Sequence, residues 1–320
     1  MGSVPQVKPF KHRHLLGIEP LDPDDIELIL DTAVSMAEIG RRRIKKVPAL
    51  RGMTIVNFFA EPSTRTKLSF EVAEKRLSAD SLSLAASSSS LTKGESLLDT
   101  VKNIMAMSPD VVILRHRISG APHHIAEHID AAVINAGDGT HEHPTQALLD
   151  AYTIREKLGR LQGLRVLLCG DIAHSRVARS NMLLLRKMGA EVTVFGPYTM
   201  MPEGVEEAFD VTLHRGSFEE ALSDKDVIMM LRIQKERLGE PLLPSDREYS
   251  MHFGLAMKHL EHVRPQTLVM HPGPVNRGVE LAPEVADSDR SVILEQVENG
   301  VAVRMAILYL LCRPGEAAEE

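Results

Sequence analysis

The sequence predicts an α/β protein with two doubly wound parallel-sheet domains and an active site in the cleft between them. Two observations support this class. Apolar, β-branched stretches alternate with amphipathic helical stretches along the chain of 320 residues, which is the pattern of parallel sheets covered by helices. Polar and cationic residues follow the strand-like stretches, and such sheets bind ligands outside the carboxyl ends of their strands.

The strand and helix pattern restarts after Gly159, which indicates two domains of ordinary size. We expect a first domain over residues 1–144, completed by a C-terminal helix over residues 296–320. The second domain is expected over residues 145–295. Each half carries about four strands.

The first half opens with a polar, loosely held arm over residues 1–20. Asp22 then caps a helix that has Pro23 in its first turn. In a second helix, Leu68, Val72 and Ala73 recur at helical spacing, and Phe70 and Leu77 widen this apolar stripe, which is expected to be buried. The other elements predicted here are strands at 53–60, 80–86, 110–116 and 131–138, and helices at 67–77, 95–107 and 125–129.

The second half repeats the alternation. Its predicted elements are helices at 147–158 and 177–188, and strands at 164–171, 190–195, 226–231 and 267–270. The segment 233–254 is long, charged and broken by prolines, so we expect a loop that closes over bound substrate. Residues 291–312 form a final amphipathic helix, or a helix pair with a break at Gly300.

Composition excludes several classes of protein. The formal net charge of −7 and the isoelectric point near 6.1 argue against a nucleic-acid-binding protein, which usually presents a basic face. The two cysteines, Cys169 and Cys312, lie in apolar contexts, so we expect a reducing, cytoplasmic location and no disulfide framework. The N-terminus has no run like a signal peptide, and the apolar run 305–312 is shorter than the roughly 20 residues that span a bilayer. We therefore expect no membrane association.

The stretch from Glu61 to Thr66 joins a predicted strand to a predicted helix. Ser63 is a suitable N-cap, and Pro62 discourages an earlier start of the helix. Backbone N–H groups and the positive end of the helix dipole meet at such a terminus, and Arg65 adds a planar fork that fits phosphate oxygens. One interpretation is a pocket for a small phosphorylated molecule. The alternative is a capped helix with Arg65 on its solvated face.

Two other motifs are weaker signals. The turn from Gly170 to Arg176 opens a helix after a strand, but it lacks the G-x-G-x-x-G spacing of dinucleotide-binding proteins, so a nicotinamide dehydrogenase is disfavoured. His141 and His143 are spaced like a metal-binding pair, but the neighbouring acidic residues form no recognisable ligand set. We therefore expect no metal centre.

Arginines at separate strand ends are the stronger signal. Arg65 and Arg115 in the first half could hold a phosphate, and Arg176 and Arg232 in the second half could hold two carboxylates. This combination predicts a phosphorylated substrate that reacts with a dicarboxylate. His143 is then a candidate donor to a reacting carbonyl oxygen. The alternative is a histidine at a helix start that is satisfied by the backbone.

Six motifs, in order, resemble those of the carbamoyltransferases and extend over most of the chain. They are Ser63-Thr64-Arg65-Thr66, Lys93-Gly94-Glu95, Arg115-His116, His143-Pro144-Thr145-Gln146, Arg232-Ile233-Gln234-Lys235-Glu236-Arg237 and His271-Pro272-Gly273-Pro274. The motif that begins at Arg232 is similar to that of the aspartate-specific branch. The ornithine-specific branch carries a cysteine where this chain has Pro272, so that branch is disfavoured. Some relatives have a larger apolar residue at Gly273, a position that the family uses through its backbone.

The resemblance implies transfer of the carbamoyl group of carbamoyl phosphate to the amino group of L-aspartate, a step of pyrimidine biosynthesis. The residues implied for carbamoyl phosphate are Ser63, Thr64, Arg65, Thr66, Ser90, Arg115, His143, Gln146, Pro272 and Gly273. Those implied for aspartate are Lys93, Arg176, Arg232 and Gln234, and those implied for catalysis are Arg65, Thr66, Lys93, Arg115 and His143. Thr66, Arg115 and His143 would stabilise the tetrahedral oxyanion.

The resemblance also implies partners. Ser90 and Lys93 would come from a neighbouring chain, so that active sites are shared within a homotrimer. Carbamoyl phosphate is a reactive mixed anhydride, so we expect no cofactor, and no side chain is assigned as general base. Regulatory chains, dihydroorotase chains and regulation by nucleotides are left open. A catalytically inactive scaffold is the rival from another class, and retention of the implied catalytic residues argues against it.

Overall fold

The computed structural model describes residues 10–85, 94–233 and 245–312. Contacts divide the chain into two compact units. The first consists of the chain up to Gly139 together with the part from Gly300 onward, and the second is Thr140–Asn299. Each unit is built around one parallel sheet, which confirms the predicted α/β class with two parallel-sheet domains. Within the described ranges, no helix has the length and apolar character needed to cross a membrane.

The first unit has a four-stranded parallel sheet in the order β2-β1-β3-β4. The strands are β1 Thr54–Phe59, β2 Asp80–Ala85, β3 Val111–His116 and β4 Ala132–Asp138. The helices are α1 Pro23–Arg41, α2 Thr64–Leu77, α3 Leu97–Met105 and α4 Ala121–Ala126. The central strands β1 and β3 are buried almost throughout, as expected for a parallel sheet that is covered on both faces.

An apolar core fixes the two central strands of this unit. Side chains of β1, β3 and β4 pack with those of α3 and α4: Val56, Phe58, Val101, Ile104, Val112, Leu114, Ile125 and Val133. Burial of apolar area stabilises this packing by about 25 cal/mol per Å². The resulting register pairs Phe59 with Arg115, so the carboxyl ends of β1 and β3 lie side by side.

The second unit has a five-stranded parallel sheet in the order β7-β6-β5-β8-β9. Its strands are β5 Arg165–Cys169, β6 Glu191–Phe195, β7 Thr212–Leu213, β8 Val227–Met230 and β9 Leu268–Met270. Its helices are α5 Pro144–Leu158, α6 Arg176–Lys187, α7 Val205–Phe209, α8 Phe218–Leu222, α9 Asp246–Phe253, α10 Met257–Leu260 and α11 Pro283–Ala286. The helix α12, Ile293–Cys312, begins in this unit and runs unbroken through Gly300, so the single-helix alternative is the one observed.

The predicted loose arm is wrong for residues 10–18. Leu15 bridges to Ile134 of β4; its backbone N–H donates to Val133 O at 2.9 Å, and its carbonyl accepts from Asn135 N at 2.8 Å. Leu15 and Ile18 are buried. Because the apolar run at residues 15–18 is only four residues long, it gives no periodic signal in the sequence.

The predicted burial of Leu68 and Val72 on α2 is also wrong. Leu68 is 52% exposed and Val72 is 37% exposed. The other members of the predicted stripe, Phe70, Ala73 and Leu77, are buried as expected, together with Thr66 and Glu74. The buried face is therefore narrower than the apolar stripe in the sequence, because helical spacing alone does not decide how far round the helix the packed face extends.

The segment 233–254 is not a continuous loop. Residues 234–244 lie outside the described residues, but Asp246–Phe253 forms α9, which Ser245 caps by accepting from Glu248 N at 3.1 Å. Tyr249 of α9 is buried in a small cluster with Met200 and Ile233. The expectation of a loop was wrong for this half of the segment, because a capped helix with one buried aromatic anchor is ordered by its own contacts.

Candidate active site

The strand order of each sheet reverses at one point, and the predicted arginines lie there. In the first sheet the chain leaves β1 towards β2 on one side and β3 towards β4 on the other, so the reversal falls between β1 and β3. In the second sheet it falls between β5 and β8. A crevice opens outside the carboxyl ends of the strands at such a switch point, and ligands bind in it. Arg115 is the penultimate residue of β3, Arg65 follows β1, Arg176 follows β5 and Arg232 follows β8.

The N-terminus of α2 has the features of an anion site. Ser63 occupies the N-cap position with an extended backbone, yet its hydroxyl makes no capping bond, so the expected side-chain cap is absent. The first turn contains no acidic residue, so no carboxylate offsets the positive end of the helix dipole. Thr64 and Arg65 are exposed, and Thr66 is buried. The N-terminus of this 14-residue helix therefore presents backbone amides, the hydroxyl groups of Ser63 and Thr64, and the guanidinium of Arg65.

Arg115 is anchored beside this terminus. Its Nη2 donates to Glu61 Oε1 at 2.7 Å, and its Nη1 donates to Ala136 O at 3.1 Å. Its own carbonyl accepts from Ala60 N at 2.9 Å. These bonds hold the buried guanidinium against the stretch that leads into Ser63, so Arg115 and residues 61–66 form one rigid edge of the first sheet.

His116, the next residue, has a structural role. Its Nδ1 accepts from the backbone N–H of Ile118 at 3.0 Å, so the neutral ring carries its proton on Nε2. Burial lowers the pKa of this imidazole, and the carboxylates of Glu61 and Asp138 oppose this only in part. The ring is therefore neutral at physiological pH and shapes the turn after β3.

His143 is the N-cap residue of α5, but its ring does not cap the helix. The backbone N–H of His143 donates to Ser180 Oγ at 2.9 Å, and the Ser180 hydroxyl donates to Glu142 Oε2 at 2.8 Å. All three residues are buried, and Ser180 lies on α6. The adjacent helix α6 therefore holds the backbone of His143 in place, and the donor role of the ring stays a prediction.

Arg176 and Arg232 lie at the switch point of the second sheet. Arg176 is the first residue of α6 and is buried; the preceding Ser175 caps the helix by accepting from Ala178 N at 3.1 Å. Asp171 shapes the turn before the cap: its Oδ1 accepts from the backbone N–H of His174 at 3.0 Å and from His174 Nδ1 at 2.9 Å. Arg232 is half-buried and comes shortly after β8.

The loop His271–Pro274 follows β9 and is held by side chains. The backbone N–H of His271 donates to Gln296 Oε1 at 3.0 Å, and His271 Nδ1 accepts from Gly273 N at 2.8 Å. His271 Nε2 therefore carries the proton and donates to the fully buried Glu280 at 3.1 Å. Gly273 has a φ of +66°, a conformation that side chains other than glycine rarely adopt. The carbonyls of Pro272 and Gly273 are thus set in one orientation.

Three predicted site residues, Ser90, Lys93 and Gln234, lie outside the described residues. Within each unit the others are brought to sheet ends as expected, whereas their roles towards substrates stay predictions. Sequence reasoning missed the supporting residues Glu61, Ser180 and Asp150. Asp150 lies four residues after Gln146 on one helix, and this i, i+4 spacing was the available signal.

Family comparisons cover both halves of the chain. The sequence model described as "Aspartate/ornithine carbamoyltransferase, carbamoyl-P binding domain" matches residues 13–156, and that described as "Aspartate/ornithine carbamoyltransferase, Asp/Orn binding domain" matches residues 162–311. The chain belongs to the aspartate/ornithine carbamoyltransferase family.

Relatives within the carbamoyltransferase family match nearly end to end. The aspartate carbamoyltransferase catalytic subunit of Syntrophotalea carbinolica is 56% identical over 311 residues, covering 97% of this chain and 98% of that protein. The corresponding subunit of Sorangium cellulosum is 59% identical over 302 residues, covering 94% of each chain. Among solved structures, aspartate transcarbamoylase from Trypanosoma cruzi in complex with carbamoyl phosphate and aspartate gives a TM-score of 0.87 at 28% identity, covering 95% of this chain and 99% of that chain.

Proposed function

We propose that this protein transfers the carbamoyl group of carbamoyl phosphate to the amino group of L-aspartate, giving N-carbamoyl-L-aspartate and phosphate. The observation that carries the proposal is the match of both family domains, in order, together with relatives of that name at 56% and 59% identity over almost the whole chain. The reaction is a step of pyrimidine biosynthesis, for which a cytoplasmic location is proposed.

The first substrate is proposed to be held through its phosphate by Ser63, Thr64, Arg65 and Thr66, with Arg115 beside it. The arrangement of the α2 N-terminus supports this assignment, because the amides there are not offset by a carboxylate in the first turn. The net charge of −7 gives no general attraction for an anion, so the local cations must supply it. Ser90 of a neighbouring chain is proposed to complete the site.

Aspartate is proposed to bind through its two carboxylates to Arg176, Arg232 and Gln234, with Lys93 of a neighbouring chain. Support comes from the placement of both arginines at the reversal point of the second sheet. A guanidinium presents paired donors that match a carboxylate, which suits a dicarboxylic amine better than a cationic one such as ornithine.

The chemistry follows from the donor being a mixed anhydride. The neutral amine of aspartate attacks the carbonyl carbon, a C–N bond forms, and a tetrahedral oxyanion develops that Thr66, Arg115 and His143 are proposed to stabilise. The C–O bond to phosphate then breaks, and the departing phosphate is the nearest acceptor for the amine proton. The protein accelerates the reaction by positioning the two substrates and by stabilising the oxyanion. No cofactor and no side-chain general base are therefore assigned.

A homotrimer with shared sites is the proposed assembly. Leu68 and Val72, one turn apart on α2, expose apolar area close to the proposed phosphate site. Apolar groups exposed together on a surface helix often mark a contact with another chain. We propose that this face of α2 packs against a neighbouring copy.

The decisive test is an assay of the purified chain with carbamoyl phosphate and a panel of amines. N-carbamoyl-L-aspartate is the expected product, with kcat/KM for aspartate at least about 100-fold above that for ornithine. Preference for ornithine would reject the substrate assignment. Absence of product with every amine, from a folded chain that assembles, would support the inactive-scaffold alternative.

A further inference from the structure

Asp150 lies on α5, one turn after Gln146, and is completely buried. Side-chain amides converge on its carboxylate. Oδ1 accepts from Gln146 Nε2 at 2.9 Å and from Gln296 Nε2 at 2.7 Å. Oδ2 accepts from Asn181 Nδ2 at 2.9 Å. These partners come from α5, α6 and α12, so one carboxylate connects three helices.

Backbone groups decide which end of two of these amides faces Asp150. The N–H of His271 can only donate, so Gln296 presents its oxygen there and turns its NH₂ to Asp150. The carbonyl of Val177 can only accept, and Asn181 Nδ2 donates to it at 3.0 Å as well as to Asp150. Both oxygens of Asp150 are therefore acceptors, which is the behaviour of an ionised carboxylate.

This arrangement dictates the orientation of Gln146. An ionised carboxylate cannot donate, so the NH₂ of Gln146 must face it and the amide oxygen must point the other way. Gln146 is 8% exposed, and its Oε1 has no hydrogen-bond partner among the residues that the structure describes. A nearly buried acceptor of this kind is complementary to a ligand that carries an N–H or O–H donor.

We propose that Asp150 is a positioning residue that fixes the polarity of the Gln146 amide, so that Gln146 Oε1 accepts a hydrogen bond from the amino group of carbamoyl phosphate. Through Gln296, the same carboxylate holds the backbone of His271, where the loop that carries the Pro272 and Gly273 carbonyls begins. This inference rests on the proposed function and adds a reason for donor choice: the site requires NH₂ on the carbonyl carbon. An acyl phosphate with a methyl group there leaves the acceptor unsatisfied.

Two phosphonates that differ only at this group provide the test. Phosphonoacetamide carries NH₂ on its carbonyl carbon, and acetonylphosphonate carries CH₃. Their dissociation constants are measured by calorimetry without aspartate, so no turnover is needed. Wild-type protein is expected to prefer the amide by about tenfold, the size of one well-formed hydrogen bond.

Asp150→Asn is the main variant. The substituted side chain would bring an NH₂ group of its own. Backbone groups hold the amides of Gln296 and Asn181, so Gln146 is the one that turns over, and the preference is expected to fall below about threefold. The dissociation constants of acetonylphosphonate and of inorganic phosphate are expected to stay within about twofold, because neither ligand uses the amide oxygen. An unchanged preference, or equal weakening of all three ligands, would overturn the proposal.

Thr153→Val is the matched control. Thr153 is equally buried on the same helix and accepts from Asn299 Nδ2 at 3.1 Å, without contact to Gln146. It is expected to lose stability but to keep the wild-type ligand preference. If Asp150→Asn does not fold, Gln146→Met decides instead: the preference should disappear, and its persistence would show that the amide oxygen does not face the ligand. A wild-type protein that binds with this preference but makes no carbamoyl aspartate would reject the proposed function alone.

Discussion

Arg65 and Thr66 are adjacent in the first turn of α2 and differ in exposure, because Thr66 lies on the face that packs on the sheet. The buried threonine contributes to the position of the turn, whereas the exposed guanidinium contributes little to the core. Exposed side chains outside the packed core can be removed at small cost in stability.

Arg65→Ala is therefore expected to abolish turnover, with kcat/KM reduced at least about 1,000-fold, while the free energy of unfolding changes by less than about 0.5 kcal/mol. Steady-state kinetics and chemical denaturation measure the two effects. Arg42→Ala, at an exposed arginine after α1, is the matched control and should leave both unchanged. Near-normal activity of Arg65→Ala would reject the phosphate assignment.

Glu74 is a second residue whose environment makes a quantitative prediction. Its carboxylate is fully buried and accepts from Asn57 Nδ2 at 2.8 and 2.9 Å, and from Ser81 Oγ. Burial raises the pKa of Glu74 above its ordinary value of 4.5, and the two side-chain bonds oppose this only in part. The contribution of Glu74 to the free energy of unfolding is therefore most favourable below pH 4.5. This contribution is lost as the pH rises through the pKa of Glu74 in the folded state.

Glu74→Gln is expected to remove this loss and to flatten the dependence of unfolding free energy on pH above 4.5. Asn57 Nδ2 can still donate to the amide oxygen of the substituted side chain, so this contact is kept without a buried charge. We expect a gain of about 1 kcal/mol at pH 7, measured by urea denaturation across pH. Glu38→Gln, which removes an exposed carboxylate from α1, is the control. A variant less stable than wild type at pH 7 would contradict the assignment.

At the scale of elements, helix starts carry the proposed substrate residues. α2 begins at Thr64 and α6 at Arg176, and each follows a strand at a switch point. The two starts differ in their caps: Ser63 makes no side-chain cap bond, whereas Ser175 does. An uncapped start keeps its amides available for an anion, and a capped start holds a side chain in place.

Ser175→Ala is expected to lower the free energy of unfolding by about 1 kcal/mol and to raise KM for aspartate severalfold, because the first turn that carries Arg176 is no longer capped. Ser175→Asn should retain both properties, since asparagine caps equally well. Ser96→Ala removes the equivalent bond to Asp99 N, at 3.1 Å, from α3 and is the control. Ser96→Ala should lower the free energy of unfolding by a similar amount without a change in KM for aspartate. Equal changes in KM for Ser175→Ala and Ser96→Ala would contradict the role of the α6 cap.

At the scale of the whole molecule, each unit is a parallel sheet with its own core, and the two matching family models are described as a carbamoyl-P binding domain and an Asp/Orn binding domain. The proposed homotrimer adds a requirement that one chain cannot meet alone. Ser90 and Lys93 must come from a neighbouring copy, so activity depends on pairs of adjacent chains.

Mixing Arg65→Ala and Lys93→Ala chains tests this requirement. Neither variant alone is expected to be active. In a one-to-one mixture about a quarter of the sites pair an intact Arg65 with an intact Lys93 across an interface, so about a quarter of wild-type activity should return. Mass spectrometry verifies that the chains mix. No rescue in verified mixed trimers would count against shared sites.

Patterns among consecutive residues account for the elements and site residues that could be predicted from the sequence. The strand before Glu61, the proline and serine, and the helix after them are consecutive, so their order predicts where Arg65 lies without knowledge of distant contacts. The same is true of Asp22 as the N-cap of α1, with Pro23 at the first helical position. The short strand β7 and the helices α7 to α11 escaped prediction, because runs of two to eight residues give too few periods to recognise.

The sequence alone determined the alternation of strands and helices, and the positions of cationic residues after strands, because both depend on neighbours in the chain. The tertiary structure decided the strand orders, the exposure of Leu68 and Val72, and the convergence of three amides on Asp150. Asn181 and Gln296 reach Asp150 from 31 and 146 residues away. No local pattern encodes such distant partners, since only packing of the helices brings them within hydrogen-bond distance.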